Sequence, residues 1–287
     1  MAIDAAVEAR VGVAWRATAR RVFTPAITRA LLVLLAVLLW YLSGRIGLLD
    51  PVFVSSPDAV ISAVPVLAGV DTVTHAFAVT GTAIGLAFLL GTAAGIVAGL
   101  AIGLSKFLRD VYYGPIVFIM STPKVIFLPI FLLVFGTDQT AVAFGTFEAF
   151  FYVTVNVVGG IGLVEERHLV VARAYRASAW HTFRDVLLPA SLPGVFAGIW
   201  YGMRMAFLGV LIAELYISAG GLGQVIVQYT NQLETDKVLA MIITISIAAV
   251  VVGMGSTQLE RRLSRWRGDR TVTATTLPES LPSTRRS

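Results

Sequence analysis

The chain has 287 residues, of which 57% are hydrophobic and 14% are charged, with a formal net charge of +5 and no cysteine. This composition and a mean hydropathy of +0.82 indicate a helical membrane protein, and the missing cysteines exclude disulfides and thiolate chemistry. A modest positive charge is ordinary for a bilayer protein with basic cytoplasmic loops, so we expect no nucleic acid partner.

Apolar segments long enough to cross about 30 Å of hydrocarbon recur along the chain. We therefore predict an all-α polytopic membrane protein. Its six predicted transmembrane helices cover residues 30–49, 77–104, 111–135, 140–163, 195–217 and 238–257.

The basic residues lie mainly on one side of this topology, which places both termini in the cytoplasm. Residues 1–29 have too few consecutive apolar residues for a secretory signal, so the first predicted helix should remain as an anchor. We expect a cytoplasmic N-terminal segment (1–29), a transmembrane domain (30–267) and a cytoplasmic tail (268–287). The tail is rich in Thr, Ser and Pro without apolar periodicity, which predicts disorder.

Residues 165–193, here called the central loop, form a long polar stretch in an otherwise apolar chain. Apolar residues recur in it at three- or four-residue steps among arginines, which predicts short surface helices. Pro189 and Pro193 should stop the surface helix and start the next apolar run, because each lacks an N–H and disfavours helical backbone in the residue before it. We interpret the central loop as a docking element for a soluble partner.

The second predicted helix contains Gly91, Gly95, Gly99 and Gly103 at four-residue steps. Small residues at this spacing let another helix approach closely. A tight contact within one subunit is the ordinary interpretation, and a dimer seam is the alternative.

The third predicted helix is interrupted by Pro115, Pro123 and Pro129. Such breaks free backbone carbonyls, which are tolerated only inside protein or beside a water-filled cavity. The segment is therefore interpreted either as the lining of a solute pathway or as a structural kink.

Three charged residues, Lys124, Glu148 and Arg204, each fall near the middle of a predicted helix. A lone charge there is costly, so we expect these side chains to face the bundle interior and to pair. We predict that Glu148 pairs with Arg204, whose planar guanidinium suits a carboxylate, with Lys124 as the second choice. A structural role is the ordinary expectation, and attraction of an anion by Lys124 or Arg204 is the alternative.

A glycine-rich segment at 220–223 follows the fifth predicted helix. Its three glycines are too flexible to prolong a helix, so we predict a loop that dips back toward a pathway near the extracytoplasmic face. An ordinary external turn is the alternative. The pathway or gate candidates are Lys124, Glu148, Arg204, Glu214, Gly221, Leu222 and Gly223.

Several catalytic signatures are absent from the sequence. It contains no GxxxxGK[ST] phosphate loop, no HExxH and no GxSxG. His168 and His181 have no second ligand spaced to join them in a metal site. We therefore expect no catalytic residue, no metal and no cofactor, and the chain should not hydrolyse ATP itself.

Two motifs in the central loop carry a family resemblance. Residues 170–178 (VVARAYRAS), followed by 186–193 (VLLPASLP), resemble the EAA loop of binding-protein-dependent ABC importer permeases. Further matches lie at Ser56-Pro57, Leu128-Pro129 with Phe135-Gly136, Asn156, Ala213-Glu214 and Gly220-Gly221-Leu222-Gly223. Their order is most similar to the nitrate/sulfonate/taurine branch.

Two motif positions depart from the family pattern. Val170 stands where the family has Glu, and Arg176 stands where it has Gly. Because Arg adopts a positive φ only at a cost, we expect either a changed turn or a helix that continues through Arg176.

The resemblance implies a type I ABC importer permease in the inner (plasma) membrane, which is not an enzyme. It also implies a second permease copy, two cytoplasmic ABC ATPase subunits, an extracytoplasmic solute-binding protein and a small solute, of which a sulfonate, taurine or nitrate-like anion is preferred. The implied ATPase-coupling residues are Ala172, Arg173, Ala174, Arg176, Ala177, Ser178, Trp180, His181, Phe183, Arg184, Pro189 and Pro193.

The aromatic residues Trp180 and Phe183 are the expected anchors on the ATPase, because large aromatics dominate docking energetics. Packing onto the helix ends of the chain itself is the alternative. Two other classes stay open: a proton-coupled secondary transporter using Glu148 or Glu214, and a membrane scaffold or insertase component.

Overall fold

The computed structural model describes residues 27–46, 50, 53–217 and 220–263, without the side chains of 255–263. These residues form helices and no strand, which confirms the predicted all-α class. The predicted tail at 268–287 and nearly all of the predicted segment 1–29 lie outside them. The helices are α1 (Ile27–Arg45), α2 (Pro57–Ala68), α3 (Asp71–Leu104), α4 (Lys106–Ser121), α5 (Leu128–Gly162), α6 (Glu166–Ala174), α7 (Ala179–Thr182), α8 (Leu188–Ile217), α9 (Gly221–Asn231) and α10 (Thr235–Leu263).

Within this described part, five helical segments are long and apolar enough to cross a membrane. They correspond to the first, second, fourth, fifth and sixth predicted helices, with shifted ends. The segments are Ile27–Arg45, Asp71–Leu104, Lys124–Gly162, Ala179–Ile217 and Thr235–Met254.

The third predicted helix is not continuous, which corrects the prediction of one span at 111–135. Helix α4 ends at Ser121, and a 3-10 turn at Lys124–Phe127 leads into α5. Pro123 donates no hydrogen bond and disfavours helical backbone at Thr122, so the helix breaks at this point.

Helix α5 bends at Gly136, whose φ of 67° and ψ of −178° lie outside the helical region. This combination is open to glycine and very costly for other residues. The bend falls between the third and fourth predicted helices. The residues of the third predicted helix are thus divided among α4, the 3-10 turn and the part of α5 before Gly136.

The glycine stripe of α3 packs against α5 of the same chain. A Cβ on Gly95 would lie 2.7 Å from the Cβ of Val153, and one on Gly99 would lie 2.6 Å from the Cβ of Val157. These distances leave no room for a side chain, so the two helices approach almost backbone to backbone. The predicted contact within one subunit is confirmed at these positions.

Helix α8 continues from the central loop, so the predicted stop at Pro189 and Pro193 is wrong. The helical segment Ala179–Ile217 passes through a π-helical turn at Phe183–Leu187. Pro189 lies in the first turn of α8 and Pro193 lies inside the helix. The π turn changes the hydrogen-bond register just before Pro189, where its ring would meet an upstream carbonyl in α geometry.

A buried hydrophobic cluster joins α2, the start of α3, α9 and α10. Its members include Val60, Leu222 and Met241, which are almost fully buried. Helix α1 lies at the margin of this cluster, where Trp40 packs against it and donates a 3.0 Å hydrogen bond to the carbonyl of Ser55. The other apolar side chains of α1 are mostly exposed, as expected for a surface that meets lipid.

Candidate functional site

The central loop folds as two short helices, α6 and α7, joined by a tight turn. The turn closes where the N–H of Arg176 donates to the carbonyl of Arg173 at 2.9 Å and the N–H of Ala177 donates to that of Ala172 at 3.0 Å. Arg176 itself has a φ of 51°, in the left-handed region that glycine favours. Neither expected alternative holds, because α6 ends before Arg176 and the turn keeps the geometry a glycine would give it.

A serine cap starts α7. The Oγ of Ser178 accepts from the N–H of His181 at 3.3 Å, and the same Oγ lies 2.7 Å from Nδ1 of His181. A cap of this kind satisfies a backbone donor that the helix leaves unpaired. Ser178 and His181 thus shape the turn, while both side chains stay exposed.

Two aromatic rings lie together on the outside of the loop. The ring centroids of Trp180 and Phe183 are 5.8 Å apart. Trp180 is 63% exposed and Tyr175 is 84% exposed, whereas Phe183 is partly buried. The loop therefore presents aromatic surface that the described residues of the chain leave uncovered.

The loop arginines have weak or local partners. Arg167 pairs with Glu165, Arg173 lies 3.8 Å from Glu166, and Arg184 lies 4.0 Å from Asp185. Exposed pairs of this kind contribute little to stability. Arg176 has no acidic partner among the described residues. The remaining loop candidates are buried (Ala172), partly buried (Pro193) or exposed (Ala174, Ala177, Pro189).

The membrane interior contains an ion pair between Lys124 and Glu148, whose Nζ and Oε2 are 3.1 Å apart. The predicted pairing of Glu148 with Arg204 is wrong, and the second choice is confirmed. Lys124 reaches Glu148 because the 3-10 turn before α5 turns its side chain inward, where it also lies 5.1 Å from the ring centroid of Tyr152. This ion pair connects the 3-10 turn, where the third predicted helix is interrupted, to the part of α5 that follows Gly136.

Arg204 lies apart from this ion pair. Its guanidinium carbon is 4.6 Å from the ring centroid of Trp200, one turn earlier on α8. It lines a groove of about 650 Å³ between α8 and α10. The expectation that Arg204 faces the interior of its own subunit is therefore wrong, since the residue is exposed.

Glu214 is buried near the C-terminal end of α8 and stabilises the start of α9. The hydroxyl of Thr80 donates to both of its oxygens at 2.9 Å, and the N–H of Gly223 donates to Oε2 at 3.1 Å. The same Thr80 hydroxyl accepts from the N–H of Leu222 at 2.8 Å. Sequence reasoning missed Thr80, a single hydroxyl in an apolar span whose partners lie far along the chain.

The predicted glycine-rich loop is instead the first turn of a helix. Gly220 and Gly221 have φ of 102° and 75°, and α9 begins at Gly221. Leu222 is only 4% exposed and lies in the buried cluster, while Gly223 is buried against Glu214. Two hydrogen bonds, from the N–H of Leu222 to Thr80 and from the N–H of Gly223 to Glu214, stabilise a helix start that the glycines alone would not. The residues at 221–223 are thus core residues of the subunit, which corrects their assignment to a dipping loop.

Residues 91–265, more than half of the chain, match the family described as binding-protein-dependent transport system inner membrane component. The chain belongs to this family. A solved amino acid ABC transporter, described as a crystal structure with histidines, superposes with a TM-score of 0.52 at 20% identity, over 64% of this chain and 90% of that chain. That likeness shows the fold alone.

Curated relatives include permeases from three bacteria. The chain is 30% identical to the taurine transport system permease protein TauC of Escherichia coli, over 82% of this chain and 88% of that protein. It is 35% identical to the putative aliphatic sulfonates transport permease protein SsuC of Bacillus subtilis, over 63% and 66% of the two chains. It is 30% identical to the nitrate import permease protein NrtB of Synechococcus elongatus, over 49% and 50%.

These matches agree with the resemblance in the central loop. The chain is an ABC importer permease of the nitrate/sulfonate/taurine branch and a multi-pass protein of the inner membrane. Such permeases are not enzymes.

Proposed function

We propose that this permease forms the translocation pathway of an importer for a small anion of the sulfonate, taurine or nitrate class. Two copies would form the pathway, two cytoplasmic ABC ATPase subunits would bind the central loops, and an extracytoplasmic binding protein would deliver the solute. Residues 1–29 and 268–287 would lie in the cytoplasm, flanking the transmembrane domain at 30–267.

The observation that carries this proposal is the exposed aromatic surface of the central loop. The loop follows one membrane-crossing segment and leads into the next, and its exposed aromatic residues include Tyr175 and Trp180. Large exposed aromatics on a short, capped helix are suited to insertion into a cleft of another protein. A permease without a phosphate loop depends on a separate protein to hydrolyse ATP. This aromatic surface is where that protein would bind and transmit its conformational change.

The solute class is supported by the relatives. Their names refer to taurine, aliphatic sulfonates and nitrate, which are small molecules carrying a compact oxyanion. The groove beside Arg204 offers a cation suited to such a group.

The topology can be tested directly. A reporter fused after Arg184 should be cytoplasmic, as should reporters at both termini. An extracytoplasmic signal from the fusion after Arg184 would overturn the arrangement, because it would separate the central loop from any cytoplasmic ATPase.

Transport can be tested with the permease, its ATPase and its binding protein in proteoliposomes. We expect uptake of labelled ethanesulfonate, taurine or nitrate that requires both ATP and the binding protein. Uptake driven by a proton gradient without ATP would instead support the secondary transporter. That alternative is disfavoured because Glu148 and Glu214 are both occupied by internal partners, which leaves no evident proton-carrying site.

A further inference from the structure

Arg204 carries an unpaired charge in the middle of a membrane-crossing helix. It lies about 24 Å from the start of α8 and about 20 Å from its end, at ~1.5 Å rise per residue. Among the described residues it has no acidic partner, and the Trp200 ring holds one face of its guanidinium. Because a guanidinium is strongly disfavoured against hydrocarbon, this face of α8 must border water or a polar surface.

The described residues of a second copy of the chain would supply no counter-charge at this depth. In the part that the structure describes, the buried acids of the membrane region are Glu148 and Glu214. Glu148 is paired with Lys124, and Glu214 is bonded to Thr80 and Gly223 within the same subunit. In a homodimer the same bonds occupy both copies, so the charge on Arg204 is left for a mobile anion.

The groove around Arg204 has room for such an anion and suits particular chemistry. Its volume of about 650 Å³ exceeds that of a small oxyanion, and its other walls are apolar, including Met203, Leu208, Val250 and Met254. None of the described residues that line it carries a carboxylate. A planar guanidinium binds sulfonate or nitrate oxygens in pairs, and the apolar walls suit a short alkyl tail.

We propose that Arg204, oriented by Trp200, is an anion-binding station in the pathway for a small monovalent oxyanion with an apolar tail or none. This inference rests on the proposed import function. It also predicts selectivity, because the ammonium group of taurine would find no counter-charge in the groove. Ethanesulfonate and nitrate should therefore bind at this station better than taurine.

The test uses the absence of cysteine from the chain. In Leu208→Cys, the single thiol stands in the groove one turn from Arg204. The permease is placed in phosphatidylcholine nanodiscs, and the thiol is modified with an anionic sulfonatoethyl or a cationic trimethylammonioethyl methanethiosulfonate. Each rate is divided by the rate of the same reagent with a small free thiol in solution, because the negative thiolate by itself favours the cationic reagent. We expect this normalised rate to be about tenfold higher for the anionic reagent, by electrostatic attraction to Arg204, and ethanesulfonate to protect better than taurine.

The control Leu89→Cys lies exposed in the middle of α3 and should react slowly with both reagents. Adding Arg204→Met to Leu208→Cys should abolish the preference for the anionic reagent. If that double variant does not fold, the order of protection by ethanesulfonate and taurine in Leu208→Cys alone still decides the proposal.

Three results would overturn the anion station. No reaction with either reagent would mean that lipid or a second copy covers the groove. Equal normalised rates would mean that Arg204 attracts no anion. Protection by added phosphatidylglycerol but not by ethanesulfonate would assign the site to a lipid phosphate. None of these measurements needs transport or an ATPase, so a failure of the proposed import function is detected separately in proteoliposomes.

Discussion

The hydroxyl of Thr80 and the carboxylate of Glu214, 134 residues apart in the sequence, lie 2.9 Å apart and together hold the start of α9. The hydroxyl donates to Glu214 and accepts from the N–H of Leu222 at the same time. One oxygen atom thus joins α3, α8 and α9. The cap residue Gly220 and the first helical residue Gly221 both have positive φ, so the position of α9 depends on these bonds more than on helix propensity.

Replacing Thr80 with Val should therefore destabilise the permease by about 1–3 kcal/mol, because it leaves the Leu222 N–H without an acceptor and Glu214 with one donor fewer. Thermal unfolding in detergent measures the effect. The control is Thr82→Val, whose exposed hydroxyl only donates to the carbonyl of Val79 in its own helix. Equal melting of the two variants would show that the bonds of Thr80 contribute nothing.

The ion pair of Lys124 and Glu148 should behave as a coupled unit. Removing one partner by Glu148→Gln or Lys124→Met leaves a buried group uncompensated and should cost about 3–5 kcal/mol. The double variant should recover part of this loss, which a double-mutant cycle on unfolding free energies measures. The control combines Glu148→Gln with Arg204→Met. It should recover none of the lost unfolding free energy, because Arg204 lies in the groove beside Trp200 and does not pair with Glu148. Additive losses for Lys124 and Glu148 would contradict the pairing.

Because α3 and α5 approach closely, alanine substitutions at two glycines of α3 should differ in their effect on stability. Gly99→Ala would place a methyl 2.6 Å from the Cβ of Val157, whereas Gly85 has open space around it. We expect Gly99→Ala to lose about 1–3 kcal/mol through overpacking and Gly85→Ala to be neutral or stabilising. Adding Val157→Ala should relieve part of the Gly99→Ala loss. Equal unfolding temperatures for the two alanine variants would show that α3 and α5 are not in close contact.

The sequence was sufficient for features that depend on local pattern. Apolar length predicted membrane-crossing helices, and the four-residue glycine spacing predicted that α3 packs closely against another helix of the same subunit, which the structure shows to be α5. The break before Lys124 was visible as Pro123, although its consequence, a turn that directs Lys124 inward to Glu148, depends on three-dimensional placement.

Features that depend on tertiary partners were mispredicted for physical reasons. Gly221 and Gly223 have poor helix propensity. Thr80 and Glu214 offset this low propensity because they accept hydrogen bonds from the N–H groups of Leu222 and Gly223 in the first turn. The position of a residue along its membrane-crossing helix could not decide which base pairs with Glu148. That position does not show on which face of the helix Arg204 lies. The π turn just before Pro189, which lets the helical segment continue, could not be predicted from the spacing of residues in the sequence.

The left-handed backbone at Arg176 gives a prediction for the central loop. Arg176→Gly should stabilise the turn by up to about 1 kcal/mol, since the left-handed cost of ~1–2 kcal/mol exceeds the added chain entropy of glycine, ~0.5–1 kcal/mol. Hydrogen exchange of the α6 and α7 amides should slow accordingly. Arg173→Gly, inside α6, should speed exchange instead, as glycine weakens a helix. Faster exchange in Arg176→Gly would mean that the arginine side chain itself holds the turn.

Coupling to the ATPase should depend on the exposed ring of Trp180. Because 63% of this residue is exposed, Trp180→Ala should leave the melting temperature of the permease almost unchanged. If the ring is a buried anchor in the complex, its loss should cost about 2–4 kcal/mol of binding, which weakens ATPase affinity roughly thirty- to several-hundred-fold.

Titration of the ATPase against the permease in nanodiscs measures that affinity, and ATP hydrolysis stimulated by the binding protein measures coupling. Trp180→Phe keeps an aromatic ring at the same position beside Phe183 and should retain most of the affinity. Loss of affinity with an unchanged melting temperature in Trp180→Ala, restored in Trp180→Phe, separates a docking anchor from a residue that merely folds the loop. Wild-type affinity in Trp180→Ala would remove Trp180 from the interface and leave Tyr175 and the loop arginines as the candidate contacts.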